Sequence, residues 1–188
     1  MIKDKSTVEI GDDYEIALEN YLKKLVTDGK FPGTTKGLST VHRQQKYFDE
    51  RGHHILADVT IENRFDPNDE EFSSAIVFEC KYHSKSRGNA NIALYRAFRS
   101  TLDQFFPRGS KGFLVSTNGF SKATIEDARA DKIGLMVFDP VNLTHNIIVR
   151  RRINDRYSER EALYSVLLGE RKPDYPLLYW EVKYMTKI

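Results

Sequence analysis

The sequence predicts an α/β (α+β) domain with the element order α-β-β-β-α-β-α-β and helices packed on a mixed central sheet. Three observations point there: an apolar stripe at helical spacing opens the chain, three strand-like runs follow in close succession, and helical patterns then alternate with short apolar runs. Strands that first pair as a meander and then alternate with helices give antiparallel and parallel neighbours in one sheet. The 188 residues, 40% of them apolar, suit a single folding core. Compact, such a chain has a radius of gyration of about 16 Å. We divide it into a core at 1–139 and a C-terminal extension at 140–188, a helix plus a terminal strand packed on that core.

The first helix is expected to start at Gly11-Asp12-Asp13, because Tyr14, Ala17, Leu18, Tyr21, Leu22 and Leu25 step by three or four. Glu15 falls about 20° past Leu22 on the helical wheel. It either lines a cleft edge or sits solvated in the first turn, where it suits the helix dipole. Turn-rich residues 31–39 precede strands at Val41–Phe48, His54–Glu62 and Ser74–Tyr82. Arg51-Gly52 and the acidic stretch Asn63–Phe72 separate them. A second helix spans Asn91–Phe106 and stops at Pro107. A buried strand Gly112–Ser116, a helix Ser121–Asp131 capped by Ser121 and a strand Leu135–Phe138 complete the core.

Composition excludes several classes. The balance of 29 Lys+Arg against 27 Asp+Glu is too even to mark a nucleic-acid binder by net charge alone. Cys80 is the single cysteine, so neither an intramolecular disulfide nor a cysteine-rich zinc site can form. The apolar runs are far too short to span a bilayer, and no signal-peptide pattern opens the chain. The expectation is a cytoplasmic protein. Phosphate loops, dinucleotide fingerprints, nucleophile elbows and HExxH are absent. His53-His54 lies on adjacent strand positions that face opposite ways, and reads as turn-proximal surface.

The chemical anomaly lies in the third strand, Ala75-Ile76-Val77-Phe78-Glu79-Cys80-Lys81-Tyr82. Glu79 and Lys81 interrupt an apolar run and share one face, while Cys80 points the other way into the core. Charges placed there are costly unless paired or bound to a metal. The preceding strand carries a matching anomaly in Asp58, the lone carboxylate of Ile55–Ile61. Adjacent strands bring Asp58, Glu79 and Lys81 to one spot. Two carboxylates suit Mg²⁺, with Mn²⁺ as substitute, and the Cys80 carbonyl offers a further oxygen. With Lys81 beside a metal-bound water, the set has what phosphodiester hydrolysis needs. The same residues also read as a structural ion pair near the sheet edge.

In this order, Asp58 followed by Glu79-Cys80-Lys81 resembles the PD-(D/E)xK nuclease superfamily, whose core runs α-β-β-β-α-β. Lys111 to Ala123, with Ser116-Thr117 ending a strand and Gly119-Phe120-Ser121 opening a helix, looks like the Mrr-like restriction endonuclease branch, as does Tyr14-Glu15 in the first helix. The resemblance covers roughly residues 11–139. One departure is Ala57, where the motif's name has proline. What the resemblance implies is a restriction-endonuclease-like fold and a Mg²⁺-dependent deoxyribonuclease acting in restriction or defence against foreign or modified DNA. Asp58 and Glu79 would hold the metal, Lys81 would assist the water, and Glu15 would brace the site or bind a second ion. Pro173-Asp174 with Glu181-Val182-Lys183 matches the letters more literally, but too few residues intervene for two paired strands and a turn.

Residues 80–112 carry seven Lys and Arg against Asp103 alone. Lys85 and Arg87 lie on a basic loop directly after the third strand, and Arg96 and Arg99 extend the track on the polar face of the next helix. His83 either touches a phosphate or is an exposed strand-end histidine. Phosphate contacts of this kind position DNA without reading its sequence. No helix-turn-helix, zinc finger or RRM signature appears, so targeting is expected from a homodimer mate, a partner subunit or DNA structure. The alternative reading is a catalytically inactive module of the same fold that binds nucleic acid or a partner protein.

Overall fold

The computed structural model describes residues 6–83, 89–107, 109–131 and 133–149. Nine elements follow in the order α1 (Thr7–Thr27), β1 (Ser39–Phe48), β2 (His54–Asn63), β3 (Ser74–Lys81), α2 (Ile92–Phe105), β4 (Lys111–Ser116), α3 (Lys122–Ala130), β5 (Ile133–Asp139) and β6 (Thr144–Val149). The mixed α/β class and the order of the first eight elements are as the sequence predicts. The expected C-terminal helix and strand, Arg150–Arg152 and the Asp174/Glu181/Lys183 motif lie outside the described residues.

One six-stranded sheet runs β1-β2-β3-β4-β5-β6 in spatial order. β1, β2 and β3 are antiparallel neighbours, β3, β4 and β5 are parallel, and β6 turns back antiparallel to β5. Parallel neighbours need a crossover, which α2 and α3 supply. Both crossovers advance the same way across the sheet, so both helices lie on the same face. α1 packs on the opposite face. Its Tyr14, Leu18 and Leu22 meet Val59, Ile61, Ile76, Phe78, Met136 and Phe138. On the other side Tyr95, Phe98 and Leu102 of α2 and Ala128 of α3 meet Val77, Leu114 and Leu135. The continuous apolar runs of β3, β4 and β5 are thereby explained: alternate residues serve two cores.

Two differences from the sequence reading have local causes. α1 begins at Thr7 rather than near Gly11, because Ser6 and Glu9 form a reciprocal capping box. The Glu9 N–H donates to Ser6 Oγ at 3.3 Å and the Ser6 N–H to Glu9 Oε2 at 2.7 Å. The sheet also continues past 139. Asp139 accepts the N–H groups of Val141 and Asn142, closing a turn that returns the chain as β6.

Candidate active site at a fork between two strands

β2 and β3 pair from Asn63↔Ser74 to Val59↔Phe78 and then separate. Beyond that point β2 stays with β1 as far as His54↔Phe48, and β3 stays with β4 as far as Lys81↔Ser116. Asp58 and Glu79 would be the next cross-strand pair, so they stand at the mouth of the fork. The Cys80 N–H, which the main chain of β2 no longer reaches, donates to Asp58 Oδ2 at 2.7 Å. A side chain thus replaces a ladder bond and holds the two arms together.

β1 is irregular at the same level. Gln44 has φ of +51°, rare for a residue with a side chain, and it opposes Asp58 between the pairs Arg43↔Val59 and Gln45↔Ala57. The pleat changes sides there. Val41, Val59 and Ile61 belong to the α1-side core, whereas Tyr47 and Ala57 belong to the α2-side core. Asp58 therefore sits at a crease, among neighbours buried on opposite faces.

The electrostatics follow from this placement. Burial, and next the charge of Glu79, push the Asp58 carboxyl up to about 7. The Cys80 N–H bond and Lys81 oppose that rise, and Glu15 adds to it. Lys81 Nζ donates to Glu79 Oε1 at 2.6 Å, both side chains being about a quarter exposed. Burial works against the Lys81 charge, but Glu79 and Asp58 outweigh it and raise its pKa. The ammonium is accordingly held charged. Cys80 is buried, and its thiol is pushed well up by burial and the surrounding carboxylates.

Glu15 reaches the same neighbourhood from α1. It accepts Gln44 Nε2 at 2.6 Å and has Arg43 Nη1 at 3.6 Å. Burial raises its pKa against the Gln44 bond and the Arg43 charge. Arg43 also contacts Asp12 at 3.0 Å and Glu19 at 3.7 Å, tying α1 to β1. Asp58, Glu79, Lys81 and Cys80 are thus brought together, with Glu15 within electrostatic range. Asp58 Oδ1 and Glu79 Oε2 have no hydrogen-bond donor among the described residues. No group of three or more His, Cys, Asp or Glu that could hold a metal ion occurs among the described residues.

Of the residues expected to bind DNA, Arg96, Arg99 and His83 are among the described residues. Lys85 and Arg87 lie outside the described residues. Arg96 contacts Asp127 at 3.2 Å and Arg99 contacts Asp131 at 2.9 Å, and Asp131 also accepts the Tyr95 hydroxyl. Both arginines clasp α2 to α3. The His83 main chain is held at both ends by Thr117 Oγ1, which accepts its N–H at 3.0 Å and donates to its carbonyl at 2.8 Å. Sequence reasoning missed Gln44, Arg43 and Thr117 as organisers of this region. Only the strand-ending Ser116-Thr117 gave any signal.

No family model matches the chain, and no curated protein matches it. Among solved structures, the chain is similar to a crystal structure of a protein of unknown function, AF1548, with TM-score 0.46 and 12% identity over 65% of this chain and 56% of that one. It is also similar to the MspJI restriction endonuclease in complex with a 27-mer oligonucleotide, with TM-score 0.41 and 13% identity over 85% of this chain and 32% of that one. The chain therefore spans about half and about a third of the lengths of these two proteins. Function rests on the site, not on overlaps this loose.

Proposed function

We propose that the protein is a divalent-metal-dependent nuclease of the restriction-endonuclease-like class that hydrolyses phosphodiester bonds in DNA. The observation that supports this most is the fork. Asp58 is desolvated beside Glu79, each carboxylate keeps an oxygen with no donor among the described residues, and Lys81 beside them is held charged. A structural ion pair would need one carboxylate and one ammonium. The second carboxylate is electrostatically costly, and a bound cation would remove that cost.

The donor set fits Mg²⁺ or Mn²⁺ rather than an all-protein cage: Asp58 Oδ1, Glu79 Oε2 and the Cys80 carbonyl, with water and substrate oxygens filling the shell. Bound there, the ion supplies Lewis acidity at a phosphoryl oxygen and an acidified water. Asp58 keeps its orientation through the Cys80 N–H. Lys81, fixed on β3 two residues from Glu79, orients the attacking water and offsets charge that develops on the phosphate. Glu15, steadied by Gln44 and Arg43, would brace the edge nearest α1 or bind a second ion. Lys85, Arg87 and His83 follow the catalytic strand in sequence and are our candidates for phosphate contacts. Arg96 and Arg99 join them by exchanging Asp127 and Asp131 for phosphate. The Mrr-like stretch Lys111–Ala123 supports a role in restriction or defence, with targeting from a second copy or a partner subunit.

Calorimetric titration with Mn²⁺ tests the site without a substrate. Wild type is expected to bind the ion, and Asp58→Asn and Glu79→Gln to lose most of that binding. Unchanged binding in both variants would remove the metal site, and the nuclease reading with it.

A further inference from the structure

Gln44 stands opposite Asp58 on β1 with φ of +51°, and it is exposed. That conformation favours glycine and, among residues with side chains, asparagine and aspartate. Glutamine has no such preference, and an exposed side chain has no core packing to account for it. Strained backbone of this kind gathers at functional sites, where the surrounding structure holds it in place. The contact made by the Gln44 side chain is therefore informative. Its amide Nε2 donates to Glu15 Oε2 at 2.6 Å, joining the crease of β1 to α1.

Glu15 also has a competing partner. Arg43 Nη1 stands 3.6 Å from the same oxygen, and the guanidinium meets Asp12 at 3.0 Å and Glu19 at 3.7 Å as well. Three carboxylates of α1 thus crowd one cation. A second cation in the place of Gln44 would neutralise Glu15, whereas a neutral amide holds the carboxylate and leaves its charge intact. That charge is felt at the fork, where Glu15 adds to the effect of Glu79 on Asp58. The Glu15 side chain is only 15% exposed, so water screens it weakly. A negative field that disfavours one more carboxylate favours a divalent cation at the same spot.

We propose that Gln44 is a positioning residue for metal binding: its amide keeps Glu15 from closing onto Arg43, so that the Glu15 charge strengthens divalent-ion binding at Asp58 and Glu79. The inference rests on the nuclease reading and names what tunes the ion affinity of that site.

Calorimetric titration with Mn²⁺ tests it on wild type, Gln44→Gly, Gln44→Asn, Glu15→Gln and the double variant Gln44→Gly/Glu15→Gln. Thermal unfolding of each checks the fold. Glycine and asparagine both accept the backbone conformation, and asparagine keeps the amide on a side chain one carbon shorter. Both Gln44 variants are expected to melt no lower than wild type, yet to bind Mn²⁺ about 5-fold or more weakly. Glu15→Gln should lose at least as much, and the double variant no more than Glu15→Gln alone. In cleavage, the Mn²⁺ concentration for half-maximal cutting by Gln44→Gly should rise in the same proportion, with the KM for DNA unmoved. Wild-type Mn²⁺ affinity in Gln44→Gly would overturn the proposal, as would losses that multiply in the double variant. Either result, beside binding that Asp58→Asn still abolishes, would leave the nuclease reading intact. A wild type that binds no Mn²⁺ would remove both.

Discussion

Replacing Asp58 with asparagine is expected to stabilise the protein above neutral pH while disabling it. The Asp58 carboxyl rises from an ordinary 3.8 to about 7 in the fold, through burial first and the Glu79 charge second. The folded state therefore prefers it protonated. That preference stabilises the fold fully below about pH 4 and is lost as pH rises through about 7. At roughly 1.4 kcal/mol per pH unit, the difference is worth up to about 4 kcal/mol. Glu15, also raised by burial, pulls in the same direction. Asparagine removes the charge and keeps an oxygen for the Cys80 N–H. For a domain of this size, 1 kcal/mol moves Tm by about 2–4 °C. At pH 8, Asp58→Asn should therefore melt above wild type by about 8–16 °C, and the two curves should converge near pH 4. Differential scanning calorimetry across that range, without divalent ions, measures the gap. A wild type that gains stability from pH 4 to 8 relative to the variant would refute the electrostatic reading of the fork.

Other substitutions probe the scaffold. Gly134→Ala would place a methyl group against the Phe113 ring, and equilibrium unfolding should show a loss of about 1–3 kcal/mol. At Gln44, φ of +51° favours glycine over any residue with a Cβ, so Gln44→Gly should exceed Gln44→Ala in stability by about 1 kcal/mol in urea titrations. Ser6→Ala breaks the capping box and should cost about 1 kcal/mol, seen as early fraying of α1 in amide exchange.

What could be read from the sequence divides along physical lines. Asp58, Glu79 and Lys81 stood out because each breaks an apolar strand, and burying charge is expensive wherever it occurs. The order of α1 to β5 followed from periodicity for the same local reason. The start of α1 was misplaced because Gly11 looked like a boundary while the capping box of Ser6 and Glu9 lay upstream. β6 had a signal in the Asp139-Pro140 turn and the alternation His145, Ile147, Val149, but its continuous apolar run, Ile147-Ile148-Val149, is too short to draw attention. The crease was not legible, since a glutamine does not announce a positive φ and the switch exists only where β1 and β2 are paired. Nor were the partners of Arg96 and Arg99, because Asp127 on α3 and Asp131 at its C-terminal cap lie far along the chain and meet them only once α2 and α3 pack.

The central claim is that the fork between β2 and β3 cuts nucleic acid, and cleavage itself tests it most directly. Plasmid, linear, single-stranded and methylated DNA are incubated with wild type, Glu79→Ala and Lys81→Ala, in Mg²⁺ or Mn²⁺ and in EDTA. The account predicts cutting by wild type that needs the divalent ion and falls at least about 100-fold in both variants, with their folding unchanged. Wild-type cutting that persists in Glu79→Ala, or a wild type inert on every substrate yet binding DNA as well as the variant does, would contradict it.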